Sequence, residues 1–207
     1  MKQEFDELLC KQYPKIFRDR HAPMTETCMC WGFDVGDGWF NIINQLCANI
    51  QHHVDWSRRQ RSHALRYNRA LKRAFDGNEV ELLSYFTFDR NARQSKNWSE
   101  YAHRSVREEL TRGIPHYRKV PEACPQVIAT QIKEKFGTLR FYYYGGDEMI
   151  DGMVHMAESM SAVTCEECGN PGRLLTQGWH RTLCETHAKE QNYDWNIEEE
   201  DEDQISE

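Results

Sequence analysis

The chain has 207 residues, 39% of them apolar and 29% charged, with a formal net charge of −7. That is one ordinary domain or one domain with a small appendage, and enough chain to bury a core without depending wholly on covalent staples. No apolar run approaches the roughly 20 residues of a membrane span and no secretory apolar stretch follows Met1, which predicts a soluble, non-exported protein whose eight cysteines are thiols or metal ligands rather than disulfides.

Apolar Phe5, Leu8 and Leu9 at helical spacing predict a first helix over 2–12, ended by Tyr13-Pro14. Residues 18–38 read as irregular, and Gly36-Asp37-Gly38-Trp39 as a turn feeding a helix. In that helix Trp39, Ile42, Ile43, Leu46 and Ile50 make one stripe. A second amphipathic helix is expected over about 57–75, with Ala64, Tyr67, Leu71, Ala74 and Phe75 buried and Asp76-Gly77-Asn78 stopping it. Residues 79–87 are apolar and ambiguous between helix and strand, and 89–97 read as a polar loop. A third helix is expected over 99–112 with Ala102, Val106 and Leu110 in register. Prolines 115, 121 and 125 break the chain before its best β signal, 126–134 and 138–144, which flank Lys135-Phe136-Gly137 and predict a hairpin. A fourth helix, 148–161, is expected to bury Ile150, Met153, Val154, Ala157 and Met160.

The C-terminal part carries the strongest motif. Cys165-x2-Cys168 and Cys184-x2-His187 are separated by fifteen residues, two ligand pairs suited to tetrahedral Zn²⁺. Gly169 and Gly172 permit a sharp turn after the first pair, residues between the pairs can form a short hairpin, and Cys184 can open a helix whose first turn carries the second pair. Knuckle, hairpin and helix in that order resemble a treble-clef zinc finger. His180 is a rival for the fourth ligand. A set of four protein ligands leaves no position for a catalytic water, so the expected zinc is structural.

Weaker constellations stay open beside it. Cys28, Cys30 and Cys47, with His21, His52 and His53, are candidates for a second metal site, but C-x-C is poor zinc spacing and a cysteine beside an apolar stripe is commonly a small buried hydrophobe. His52-His53-x-Asp55 reads as a polar helix end more readily than as a hydrolase site, and neither a nucleophile elbow nor a phosphate-binding glycine loop is present.

Charge is unevenly distributed: −2 over 1–54, +7 over 55–119, +1 over 120–144 and −13 over 145–207. Residues 56–73 hold seven basic and no acidic residues, and Arg58, Arg66, Arg69 and Arg73 share a helix face opposite the apolar stripe, which could neutralise phosphates or pair with acidic surface. Lys133, Lys135 and Arg140 beside Phe141, Tyr142, Tyr143 and Tyr144 could extend a nucleic-acid surface, although an aromatic strand is more often core. Glu198–Asp203 are six consecutive acids, expected to be disordered and solubilising, while the whole −13 segment over 145–207 could act as a nucleic-acid mimic toward a basic protein.

Three stretches resemble a family of small proteins from tailed bacteriophages and prophages. They are Gly38-Trp39-Phe40-Asn41-Ile42-Ile43 with Leu46-Cys47; the run from Gln131 through Ile132-Lys133-Glu134-Lys135-Phe136-Gly137-Thr138-Leu139-Arg140-Phe141 to Tyr142; and Ala157-Glu158 and Ser161 through the Cys165–His187 motif to Ala188. Together they cover about half the chain, and residues 55–119 lie outside them as an inserted basic helical region. The resemblance implies phage origin, expression in the host bacterial cytoplasm and a zinc-binding C-terminus, and it carries no catalytic assignment.

The expected architecture is α+β. A mainly helical body over 1–147 contains the 55–119 insertion and the 126–144 hairpin, a helix plus zinc finger spans 148–191, and an acidic tail covers 192–207. The expected function is a non-enzymatic, zinc-stabilised phage accessory protein that binds a host or phage protein, with host defence or nucleic-acid-processing machinery as the preferred target. Direct DNA or RNA binding through residues 56–73 is the alternative. An HNH-type nuclease is the second, weakened by His180 being the lone histidine between the ligand pairs.

Overall fold

The computed structural model describes residues 1–88 and 97–196. Most of the loop expected at 89–97 and the acidic run Glu198–Asp203 therefore lie outside the described residues. The fold is α+β, and its described part forms two compact units: Met1–Val54 with Pro125 onward, and Asp55–Cys124.

In the first unit, helix α1 spans Gln3–Gln12 and ends at Tyr13, as the following proline requires. The Phe5 ring stacks on Phe40 with centroids 4.5 Å apart. The Tyr13 hydroxyl donates to the Asn44 side chain at 2.8 Å. Helix α2 runs unbroken over Phe40–Phe75, preceded by a single 3₁₀ turn at Asp37–Trp39. The two helices expected at 39–50 and 57–75 are thus one. The linking residues 51–56 contain no glycine or proline, and the buried stripe never loses phase: Ile43, Leu46, Ile50, Val54, Ser57, Ala64, Tyr67, Leu71 and Ala74 are all buried, at spacings of three, four or seven.

The stretch read as irregular contains a two-residue strand, β1 (Phe33–Asp34), too short to carry a periodicity. It pairs in parallel with β2 (Ile128–Lys135), through Phe33 opposite Ile132. Strand β2 pairs antiparallel with β3 (Thr138–Tyr144), giving the order β1-β2-β3. The hairpin turn is only Phe136-Gly137, both at positive φ (54° and 76°), the geometry of a primed turn that matches strand twist. Ile132, Leu139 and Phe141 share the buried face, while Lys133 and Arg140 face each other on the opposite one. A bulge between Ala129 and Gln131 interrupts the ladder; beside it the Ala129 N–H donates to Ile16 O at 2.9 Å and the Thr27 hydroxyl to Thr130 O at 3.3 Å.

Helix α5 (Glu148–Ser161) lies against β3. The Asp147 side chain caps it, accepting from the Ile150 N–H at 3.3 Å. Ile150, Val154, Ala157 and Ser161 are buried, but Met160, expected inside, is exposed and Met153 only half-buried. Only the face that packs toward β3 is buried, and Met160 lies off that face. The short strands β4 (Arg173–Leu175) and β5 (Arg181–Leu183) pair antiparallel, and helix α6 (Glu185–Glu190) follows.

In the second unit, α3 (Val80–Thr87) settles the ambiguous segment as helix, and α4 spans Trp98–Thr111. Tyr67, Ala70, Leu71 and Ala74 from α2 pack with Leu82 and Phe86 of α3 and Ala102 and Val106 of α4. Extended chain then returns along α2. The Asn68 amide brackets the Arg118 backbone with bonds of 2.8 and 2.9 Å, and the Arg118 guanidinium sits 3.8 Å over the Tyr67 ring.

Candidate metal centre

Four side chains from two short pieces of chain converge. Cys165 and Cys168 come from a turn, Cys184 is the residue preceding α6, and His187 lies in its first turn. A helix start places residues three apart on one side, so Cys184 and His187 point together. The knuckle closes through Gly169 N–H to Cys165 O at 2.9 Å and Cys165 N–H to Asn170 O at 2.8 Å, with Gly169 in the left-handed region at φ 77°.

The ligand atoms all lie within 4.8 Å of one another. A tetrahedral ion with arms of about 2.3 Å to sulfur and about 2.0 Å to nitrogen requires sulfur–sulfur edges of about 3.8 Å and sulfur–nitrogen edges of about 3.5 Å. Cys168 Sγ and Cys184 Sγ are 3.8 Å apart. His187 Nδ1 is 3.5 Å from Cys165 Sγ and 3.2 Å from Cys184 Sγ. The donor set therefore fits a metal ion such as zinc. The other ring nitrogen, Nε2, faces Glu190 at 3.8 Å, an outer carboxylate of the kind that orients a ligating histidine.

The thiols crowd one another. Burial, reinforced by neighbouring Cys165 and Cys184, pushes the Cys168 thiol up to about 11 despite a backbone N–H from Asn170. At Cys184 burial opposes ionisation, but the His187 N–H, its ring and the adjacent thiols outweigh it and draw the group down to about 7. A bound cation would deprotonate all the cysteine ligands. Three thiolates and neutral imidazole around Zn²⁺ would carry −1 net.

The knuckle is held by residues that the spacing motif does not include. Glu166, buried, accepts from Gly36 N–H at 2.9 Å and pairs with Arg181 at 3.1 Å. Burial raises its carboxyl above the usual range, and Arg181 and the Gly36 N–H offset this only in part. Gly38 N–H donates to Glu166 O at 2.7 Å, and the Trp39 indole N–H to Thr164 O at 2.8 Å. A Cβ on Gly38 would collide with the Cys165 carbonyl oxygen and the Gly169 nitrogen. From the other side Thr182, wholly buried, donates its hydroxyl to Gly137 O at 2.6 Å, where the hairpin turn meets the finger. The pair of glycines around Asp37 was the available signal for this docking, but glycine spacing alone names no partner.

His180 stays outside the four-ligand group. It precedes β5 rather than lying on it, with its ring 6.2 Å from that of Phe136. No metal-holding group among the described residues includes Cys28, Cys30 or Cys47. Cys47 is fully buried, and burial drives its thiol upward, as for a small hydrophobe. Cys30 donates to Thr27 O at 3.1 Å, while His53 binds Asp147 at 2.9 Å.

The basic candidates divide between the units. Arg58, Arg66, Arg69 and Arg73 are exposed on α2 in the second unit, and Arg73 pairs with Glu81. Lys133, Lys135 and Arg140 belong to the hairpin of the first unit. There Lys133 lies over the Tyr142 ring at 5.8 Å and Arg140 donates to the Leu139 carbonyl at 2.7 Å. Among the described residues no helix is long and apolar enough to cross a membrane. No family model matches the chain, and neither a curated protein nor a solved structure matches it.

Proposed function

We propose that the chain is a non-catalytic binding protein of phage origin, stapled by structural zinc in a treble-clef-like finger and acting on a protein partner in the host bacterial cytoplasm. The observation that carries this reading is the donor set: four protein donors within 4.8 Å of one another, with separations of 3.2, 3.5 and 3.8 Å among them, would fill a zinc ion's coordination and leave it no water to activate. The metal's work is then to hold the knuckle, β4–β5 and α6 together as a rigid platform on the sheet. Metal analysis of the purified protein should return one zinc per chain, and affinity purification from infected cells should recover a specific protein. Recovery of none, or cleavage of plasmid DNA in the presence of Mg²⁺ or Mn²⁺, overturns the reading.

One observation favours a second reading, direct nucleic-acid binding by α2. Arg59, Arg66, Arg69 and Lys72 are exposed and make no ion pair with another described residue. If they contact phosphates, affinity for duplex DNA falls steeply with salt, and Arg66→Glu with Arg69→Glu removes most of it. A flat salt response excludes it.

A further inference from the structure

We infer that the outer face of α5 is a docking groove for a positively charged amphipathic helix of a partner protein; this rests on the binding-protein reading above and names its surface. Met149, Met153, Met156 and Met160 recur at i, i+4, i+7 and i+11 and form one stripe, continued by Val163. The buried stripe of the same helix (Ile150, Val154, Ala157, Ser161) faces elsewhere. Met149, Met156, Met160 and Val163 are 58, 61, 46 and 62% exposed. An apolar stripe of this length on a monomer's surface marks an interaction site more often than chance, and methionine is the side chain that adapts to a helix laid against it.

A second feature points to a ligand. Gly152 lies inside α5, where glycine is markedly worse than alanine, and a Cβ built there meets nothing within 4 Å. Among the described residues nothing requires the missing methyl group. The notch opens into a groove of about 710 Å³ lined by Asp147, Glu148, Met149, Gly152, Met153 and Met156. A partner side chain or backbone entering between the methionines would account for it.

Charge selects the occupant. Helix α5 has no lysine or arginine, and the groove is bordered by Glu148 and by Asp147, which also pairs with His53; Asp151 and Glu158 turn instead to β3, accepting from the Tyr143 hydroxyl and the Phe141 N–H. Two such helices repel, so the face does not suit a symmetric pair of α5 helices. An anionic lipid surface repels it too. A helix with lysines or arginines flanking an apolar stripe suits both the methionines and the acidic Asp147–Glu148 end of the groove.

The test uses the full-length, zinc-loaded protein and a fluorescent amphipathic peptide of about 20 residues built from Leu, Ala and Lys, with a matched Leu/Ala/Glu peptide as control. The Lys peptide should bind at least about tenfold more tightly than the Glu peptide. Met149→Gln with Met156→Gln should cost about tenfold or more, with zinc content and Tm unchanged. Gly152→Ala should raise Tm yet weaken binding, a pairing that a merely structural glycine does not produce. Equal binding of the two peptides, or equal binding by the variants, overturns the proposal, as does a dimer that the α5 variants dissociate while the Lys peptide fails to bind. If partners purified from bacteria remain bound to every α5 variant, this surface is wrong and the binding-protein reading stands. If the peptide result holds but the wild type captures no partner, that broader reading falls instead.

Discussion

Single atoms decide how the metal region is seated. Gly38 has no room for a side chain because the Cys165 carbonyl and the Gly169 nitrogen occupy that space. Gly38→Ala should therefore lower the stability of the zinc-loaded protein by about 2 kcal/mol or more in chemical denaturation, although the residue is no ligand. Phe136 presents the opposite case. It is an exposed aromatic held at φ 54°, where residues other than glycine, asparagine and aspartate pay about 1–2 kcal/mol. Phe136→Asn, which suits the primed turn, should raise stability by about 1 kcal/mol, read as a higher denaturation midpoint. Cys165, Cys168, Cys184 and His187 were legible as a set because metal ligation imposes spacing along the chain. Glu166, Arg181 and Gly38 were not, because their roles depend on contacts across more than a hundred positions or on a burial that composition does not signal.

At the scale of elements, the join between α5 and β3 includes a buried hydroxyl, beside the Glu158 carboxylate that accepts from the Phe141 N–H at 3.0 Å. Ser161 Oγ accepts from the Leu139 N–H at 2.8 Å and donates to Glu158 O at 2.5 Å. Ser161→Ala would strand a buried amide hydrogen, so a loss of about 1–3 kcal/mol is expected, with accelerated exchange at the Leu139 amide. The hairpin could be read ahead of the structure because β-branched and aromatic residues surround a glycine turn, and α5 because its buried stripe recurs regularly. Strand β1 escaped because two residues hold no period, and its partner lies about a hundred positions away. The continuity of α2 escaped for a different reason. Two apolar clusters suggested two helices, whereas the absence of a breaker between them was the decisive fact.

For the whole molecule, metal binding and the second unit are expected to be energetically separable. The cluster built from Tyr67, Leu71, Leu82, Phe86, Ala102 and Val106 contains no residue of the metal region. Chelation should abolish hydrogen-exchange protection at 164–188 and at 36–39, which dock on the knuckle, while amides at 67–75 remain protected. Acidification should release the metal in the same order, since protons compete for three thiolates and an imidazole. The first unit is formed by two separate stretches whose ends approach each other, Gln51 and Gln126 being hydrogen-bonded at 3.1 Å. Replacing 55–124 by a short Gly/Ser linker should leave a folded protein that retains one zinc, checked by metal analysis and calorimetry; an unfolded product would show that the second unit is required.

Local chemistry determined what the sequence by itself could determine: where helices repeat, where β-branched residues run, which thiols and imidazole are spaced for one ion, and how charge divides along the chain. These are properties of neighbours within a few turns. Only the tertiary structure decided that α2 is single, that the Gly36–Trp39 turn closes on the cysteine knuckle and the hairpin tip on β5, that Arg66 and Arg69 face solvent, and that Met149, Met156 and Met160 of α5 are exposed. Each of these depends on which distant surfaces remain after packing, and a periodic apolar pattern reports that a face is apolar without reporting whether this chain has anything to place against it.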